Sequence, residues 1–323
     1  MAVTGSGTQA DPFIVHNYTD FMSLSNHVAV EDSSVYIQFF DDEHPNQTID
    51  CNTYGSEFKW GQFVGKADVT TYINLNGCTI KNFLIDSDCT MFYAVGFNDT
   101  MPRWHAAKIE VSNGSIRNVF MASASSKLIY GEVTLRDISI SMNVAGTTEI
   151  PISGVSGRSC YMDNCALYLV CSTLSTGIMK SATVSDTDIE LHIGNQNSKN
   201  MFPLCSFTDC RIQGKVSGNV RYIEGDYECC VLGVLSSNYG DSNLTQWVNC
   251  VIDLDISDMV TSKGNIPIIY SYSTGINTNV ICKSHYPTGK TAPPNWNYMD
   301  HEHIRNGTYL NDQGFTVVEV VGS

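Results

Sequence analysis

The chain has 323 residues, with 18 Lys+Arg against 33 Asp+Glu and a formal net charge of −15. Its 42% hydrophobic content, including 16 Tyr, 13 Phe and 4 Trp, can bury a large core and excludes a disordered polymer. The acidic excess excludes a broad grip on nucleic acid or on an anionic membrane surface, because both carry negative charge.

The opening residues Met1 to Thr8 lack the basic and apolar regions of a secretory signal. No stretch approaches the roughly 18 apolar residues of a membrane span, so neither export nor membrane insertion is expected. Asn17 is placed to cap a helix, with Asp20 three residues on and Phe21, Leu24 and Val28 at helical spacing. A strand over Val35 to Phe40 follows. From about residue 67 the pattern becomes short alternating runs, such as Thr71 to Leu75, Leu135 to Met142, Cys165 to Leu169, Ile189 to Ile193 and Cys250 to Ile256. Period two with one apolar face marks a strand with one side buried. Twelve cysteines are too few for a disulfide scaffold. Cys78, Cys165, Cys210 and Cys250 each precede an Ile or Leu by two positions and share its buried face. Free thiols in such places suit folding in a reducing cytoplasm.

Aligned on the first inward residue, the units start at Ile116, Ile138, Cys165, Thr187, Cys210 and Cys250, in steps of 22, 27, 22, 23 and 40 residues. The short steps exceed a hairpin and match a solenoid rung of about 20 to 30 residues. Asp137, Asn164, Asp186, Asp209 and Asn249 precede these anchors, where their tolerance of left-handed backbone suits a corner. The expected fold is all-β, a right-handed parallel β-helix (solenoid) with an N-terminal helix/strand cap. A β-sandwich is the alternative, since its strands also alternate. The boundaries read as 1–66 for the cap and a virion-attachment segment, 67–283 for the β-helix, and 284–323 for a C-terminal loop and capping strand.

The opening Gly5-Ser6-Gly7-Thr8-Gln9-Ala10-Asp11-Pro12-Phe13-Ile14-Val15 with its following helix resembles the start of β-helical proteins of phages and bacterial surfaces. The closing Asn306 to Phe315 resembles the last segment of the same group. The bacterial surface members carry an export signal and phage virion proteins need none. The resemblance therefore implies a tail-fibre, tailspike-like or head-fibre component, made in the host cytoplasm and carried on the virion. It further implies other virion proteins and host surface glycan as partners, and a homotrimer.

Carboxylates two apart on a strand share a face, and such pairs can cut glycosides. The candidates are Asp253 with Asp255 and Asp186 with Asp188, the latter run continuing to Glu190; Glu224, Asp226 and Glu228 have the same spacing. The bland alternative for all of them is a solvated acidic stripe. Aromatic rings stack on sugars, which makes Trp60, Trp104, Tyr270, Tyr272 and Trp296 glycan-contact candidates, with Trp247 read as core. His301-Glu302-His303 lacks the helical zinc-site spacing, and the Cys160/Cys165 and Cys205/Cys210 pairs lack a second ligand pair nearby. No metal and no cofactor is expected. The function expected is a structural virion protein that presents a β-helical surface to host glycans. A polysaccharide depolymerase (hydrolase or lyase) and a ligand-free virion scaffold or decoration protein are the alternatives.

Overall fold

The computed structural model describes residues 3–24, 34–54, 59–60, 62–85, 89–94, 107–121, 126–144, 150–154, 159–196, 201–219, 231–232, 245–260, 277–278, 281–285 and 287–289. Its strands pair in parallel from one coil to the next, so the chain is a parallel β-helix. A right-handed coil is what crossovers between parallel strands of L-residues adopt. Three faces are built this way. The first runs through Phe13–Val15, Ser34–Phe39, Thr70–Asn74, 108–112, 132–136, Cys160–Asp163, Ala182–Ser185, Ser206–Thr208 and Gln246–Val248. The second runs through Thr48–Asp50, Thr79–Ile85, 114–121, 138–144, Ala166–Cys171, Asp188–Gln196, Arg211–Asn219 and Val251–Asp255. The third is shorter and joins Phe63–Val64, Thr90–Ala94, 127–131, Ile152–Ser153 and Met179–Lys180.

Alternation decides what lies inside. On the second face Ile49, Ile80, Ile116, Ile140, Leu167, Ile189, Ile212 and Ile252 stand in register as one buried ladder. The first face contributes Leu135, Met162, Val184, Phe207 and Trp247 in the same way. Phe207 and Trp247 stack at 4.2 Å, which fixes Trp247 in the core as its sequence context suggests. A single coil has no partner for its apolar side; stacking supplies one, at about 1.5–3 kcal/mol for each fully buried aliphatic or aromatic chain.

The corner between the first two faces is made by one left-handed residue per coil. Asn113, Asp137, Asn164, Asp186, Asp209 and Asn249 have φ of 59, 55, 50, 45, 54 and 53°. Each is followed by an inward residue: Gly114, Ile138, Cys165, Thr187, Cys210 and Cys250. The thiols are buried as their spacing predicts. One alignment needs correcting. The register sets Ile138 beside Gly114 and Ile140 beside Ile116, so the first unit shifts by two residues. A Cβ at Gly114 would stand 2.5 Å from Leu75 Cβ and 2.7 Å from the Cys78 carbonyl, which forbids an apolar anchor there. Asn76-Gly77, with φ of 50 and 74°, has the look of a hairpin turn but is another corner: its flanking strands pair in parallel with different coils.

The N-terminal cap has its own logic. Gly5 and Gly7 take φ of 92 and 78°, and a Cβ on Gly5 would meet the Pro12 carbonyl at 2.0 Å. The turn they make lets Thr4 bridge Ile14 in antiparallel fashion. The helix Tyr18–Ser23 starts at Asn17, whose side chain accepts from the Asp20 N–H at 2.9 Å. It ends at Leu24, shorter than the spacing through Val28 predicts; Val28 lies outside the described residues. Phe21 stacks on Phe63 at 4.4 Å and leans on Phe39 at 5.1 Å, closing the end of the core. The parallel ladder already includes 13–15 and 34–39, within the 1–66 segment. The closing motif Asn306 to Phe315 and the expected final strand lie outside the described residues.

Candidate binding grooves

The outward positions of the second face form a groove of about 680 Å³. Its floor is small: Ser139, Ser141 and Ala166 occupy outward positions on two successive coils. Larger residues stand on either side. Lys81, Arg117 and Asn118 form one wall, and Tyr168, Asp188, Glu190 and Gln213 form the other. The depression is therefore a property of side-chain size along a regular sheet.

A bulge shapes the cationic wall. Asn82 and Asn118 are left-handed, with φ of 59 and 52°. Asn118 Nδ2 donates to Asn82 Oδ1 at 3.0 Å, and Asn82 Nδ2 donates to Asp50 Oδ1 at 2.9 Å. The next coil lacks the bulge, and Ser141 Oγ accepts the Asn118 N–H at 2.9 Å. Bulges re-aim side chains; this one leaves Arg117 exposed and without an ion pair among the described residues. Lys81 sits 3.2 Å from Asp50. The Asn82 hydrogen bond holds the Asp50 carboxyl below the ordinary carboxylate range. On the acidic wall, Glu190 Oε1 lies 2.7 Å from His192 Nε2 and its Oε2 accepts from Gln213 at 3.5 Å. The Tyr168 ring lies 5.3 Å from His192.

Of the acidic candidates, Asp188 lines this groove. Asp186 occupies a left-handed corner and does not line the groove. Asp253 and Asp255 lie one coil beyond Gln213 and Lys215 on the same outer face, outside the groove. Asp255 accepts from Ser257 N at 3.0 Å and Ser257 Oγ at 2.6 Å; those bonds lower its pKa, and Lys215 at 3.7 Å adds to them. The strand Lys59–Trp60 pairs with Leu84 and Ile85. Trp104, Tyr270, Tyr272 and Trp296 lie outside the described residues, as do Glu224, Asp226, Glu228 and His301-Glu302-His303. Among the described residues no group of three or more His, Cys, Asp or Glu side chains is placed to hold a metal ion. Burial pushes the Cys160 thiol up to about 12, away from the thiolate a metal needs.

Sequence reasoning marked Asp188 and Glu190 by their spacing but missed Lys81, Arg117 and Tyr168. Their signal is the run of small outward residues at 139, 141 and 166, which only the register between coils turns into a floor. A second, smaller groove of about 370 Å³ lies on the first face beside Tyr36 and Tyr72.

No family model matches the chain, and no curated protein matches it. A solved structure, that of a "putative immunoglobulin A1 protease" from Bacteroides ovatus, is similar to this chain at 15% identity and a TM-score of 0.49, covering 87% of this chain and 86% of that one.

Proposed function

We propose that the chain is a host-attachment component of a phage particle, a rigid β-helical rod whose second-face groove binds a surface glycan of the host. The observation that carries the reading is the small floor between polar walls, all on paired strands. Such a scaffold holds its side chains in place before a ligand arrives, which limits the ordering cost of binding. Coils about 4.8 Å apart advance by close to the length of one sugar in an extended chain. Serine hydroxyls, the Gln213 amide, paired carboxylates and the Tyr168 ring are groups that bind sugar hydroxyls and faces. The terminal motifs support the phage setting, and with it assembly in the host cytoplasm, contact with other virion proteins and a threefold assembly.

The test is binding of the full chain to host cells, competed by their isolated envelope glycan. Ala166 is exposed on the groove floor, so Ala166→Trp fills the groove without entering the core. Wild type is expected to bind and Ala166→Trp to lose at least tenfold. Equal binding by both, or none by wild type, overturns the reading.

Asp188 and Glu190 favour a second reading, depolymerisation. Two residues along a strand span about 6.6 Å, within the roughly 6.5–9.5 Å of an inverting glycosidase pair. New reducing ends released from the glycan, and lost in Asp188→Asn, would establish it.

A further inference from the structure

The first-face groove has a different chemistry from the glycan groove. Tyr36 and Tyr72 stand opposite one another in register, and their rings stack at 4.7 Å and 10°. The coil beyond Tyr72 carries Glu110 at the same position, and the coil after that carries Thr134. The aromatic stack thus ends at Tyr72, and a carboxylate stands next to the ring.

Glu110 is half-buried and lines the groove with both tyrosines. Its carboxylate has no ion pair or hydrogen bond among the described residues. Neighbouring acids are taken: Glu132 by Lys108 at 2.8 Å and Asp163 by Arg136 at 3.4 Å. Arg136 also lines the groove and is paired with Asp163. Two of the amides nearby are also engaged. Gln38 donates to the Phe40 carbonyl and to Asp42, and Asn74 Oδ1 accepts from the Asn76 N–H. Of the charged groups lining the groove, the Glu110 carboxylate is the one without a partner among the described residues, beside the stacked tyrosines.

We infer that this groove binds an organic ammonium group, with the cation resting on the Tyr72 ring and Glu110 as its counter-charge. The face of an aromatic ring attracts cations, and a partly desolvated carboxylate beside it adds charge and direction. Burial, with the nearby Glu110 charge, raises the Tyr72 phenol pKa, and the Lys108 charge partly opposes it. An inorganic cation would need several oxygen ligands, and the groove offers one free carboxylate. A protonated amino sugar and a quaternary ammonium headgroup share the required chemistry. The inference stands on its own face of the rod and does not depend on the glycan groove.

The experiment titrates the full chain with glucosamine hydrochloride, choline chloride and N-acetylglucosamine at constant ionic strength, following the Tyr36 and Tyr72 ring resonances by NMR. Glucosamine or choline is expected to shift both rings with millimolar affinity, and the tighter of the two assigns the source. N-acetylglucosamine, which lacks the charge, is expected to leave them unmoved. Glu110→Gln should weaken binding at least tenfold; Tyr72→Phe, which keeps the ring, should stay within twofold. Circular dichroism confirms that both variants fold. No shift with either cation, an equal shift with N-acetylglucosamine, or unchanged affinity in Glu110→Gln overturns the inference.

Discussion

The corner residue Asn164 separates backbone strain from side-chain bonding. It is exposed, its φ is 50°, its N–H donates to the Ser185 carbonyl at 3.2 Å, and its side-chain amide donates to Asp137. Asn164→Ala keeps the backbone bond but puts a Cβ residue without amide compensation in the left-handed region, at a cost of about 1 kcal/mol. It also removes one exposed side-chain bond, worth about 0.5 kcal/mol. The sum is about 1.5 kcal/mol. Asn164→Gly loses the same bond and gains unfolded-state entropy of about 0.5–1 kcal/mol, but relieves the left-handed strain. Its net change should stay within about 0.5 kcal/mol of wild type, leaving a gap of about 1 kcal/mol between the two variants. Urea unfolding followed by fluorescence suits the measurement, because Trp247 is buried against Phe207. Equal loss in the two variants would show that left-handed geometry is not what selects Asn and Asp at the corners.

Two further outcomes follow from the core. Gly214 has φ of 124°, and an added Cβ would lie 2.0 Å from the Leu191 carbonyl; Gly289 has φ of 75° with nothing within 4 Å. Gly214→Ala should therefore cost about 3 kcal/mol or more, and Gly289→Ala only about 1 kcal/mol, in the same urea assay. Burial raises the Cys51, Cys78 and Cys160 thiols to about 12 and Cys171 to about 11. The unfolded chain ionises these groups first, so their contribution is complete below about pH 8.5 and is lost as pH rises toward 12. The fall is at most about 1.4 kcal/mol per pH unit for each thiol. Urea midpoints at pH 8 and pH 10.5 should show it, with a shallower drop in Cys78→Ala; identical drops would refute it.

The inside of the rod is legible in the sequence because its cause is local. Period-two runs fix which side chains point in, and Asp137, Asn164, Asp186, Asp209 and Asn249 mark the corners without help from distant residues. The register fails where the pattern is deliberately broken. At Gly114 no apolar anchor fits, and the eye slides two residues on to Ile116. The grooves are less legible still, because they depend on which outward residues become neighbours between coils of unequal length. Asp253 with Asp255 and Asp188 with Glu190 read alike along the chain. Only the second pair stands across the small floor at Ser139 and Ala166, and only the register shows it.

This division assigns stability and recognition to opposite sides of the same pleat. An inward side chain touches its own ladder above and below, so changing one disturbs three coils. An outward side chain is bounded only by its register neighbours and solvent. Recognition residues can therefore vary without cost to the core. Ala166→Trp and Glu110→Gln should change binding while leaving the urea midpoint within about 0.5 kcal/mol of wild type, as surface substitutions do. The two grooves lie on different faces and share none of their lining residues. Their effects on the two ligands should add, since distant sites without common partners rarely couple. Coupling between them would mean that the coils shift together on binding, and the rod would then be a flexible element and not the rigid support on which both sites depend.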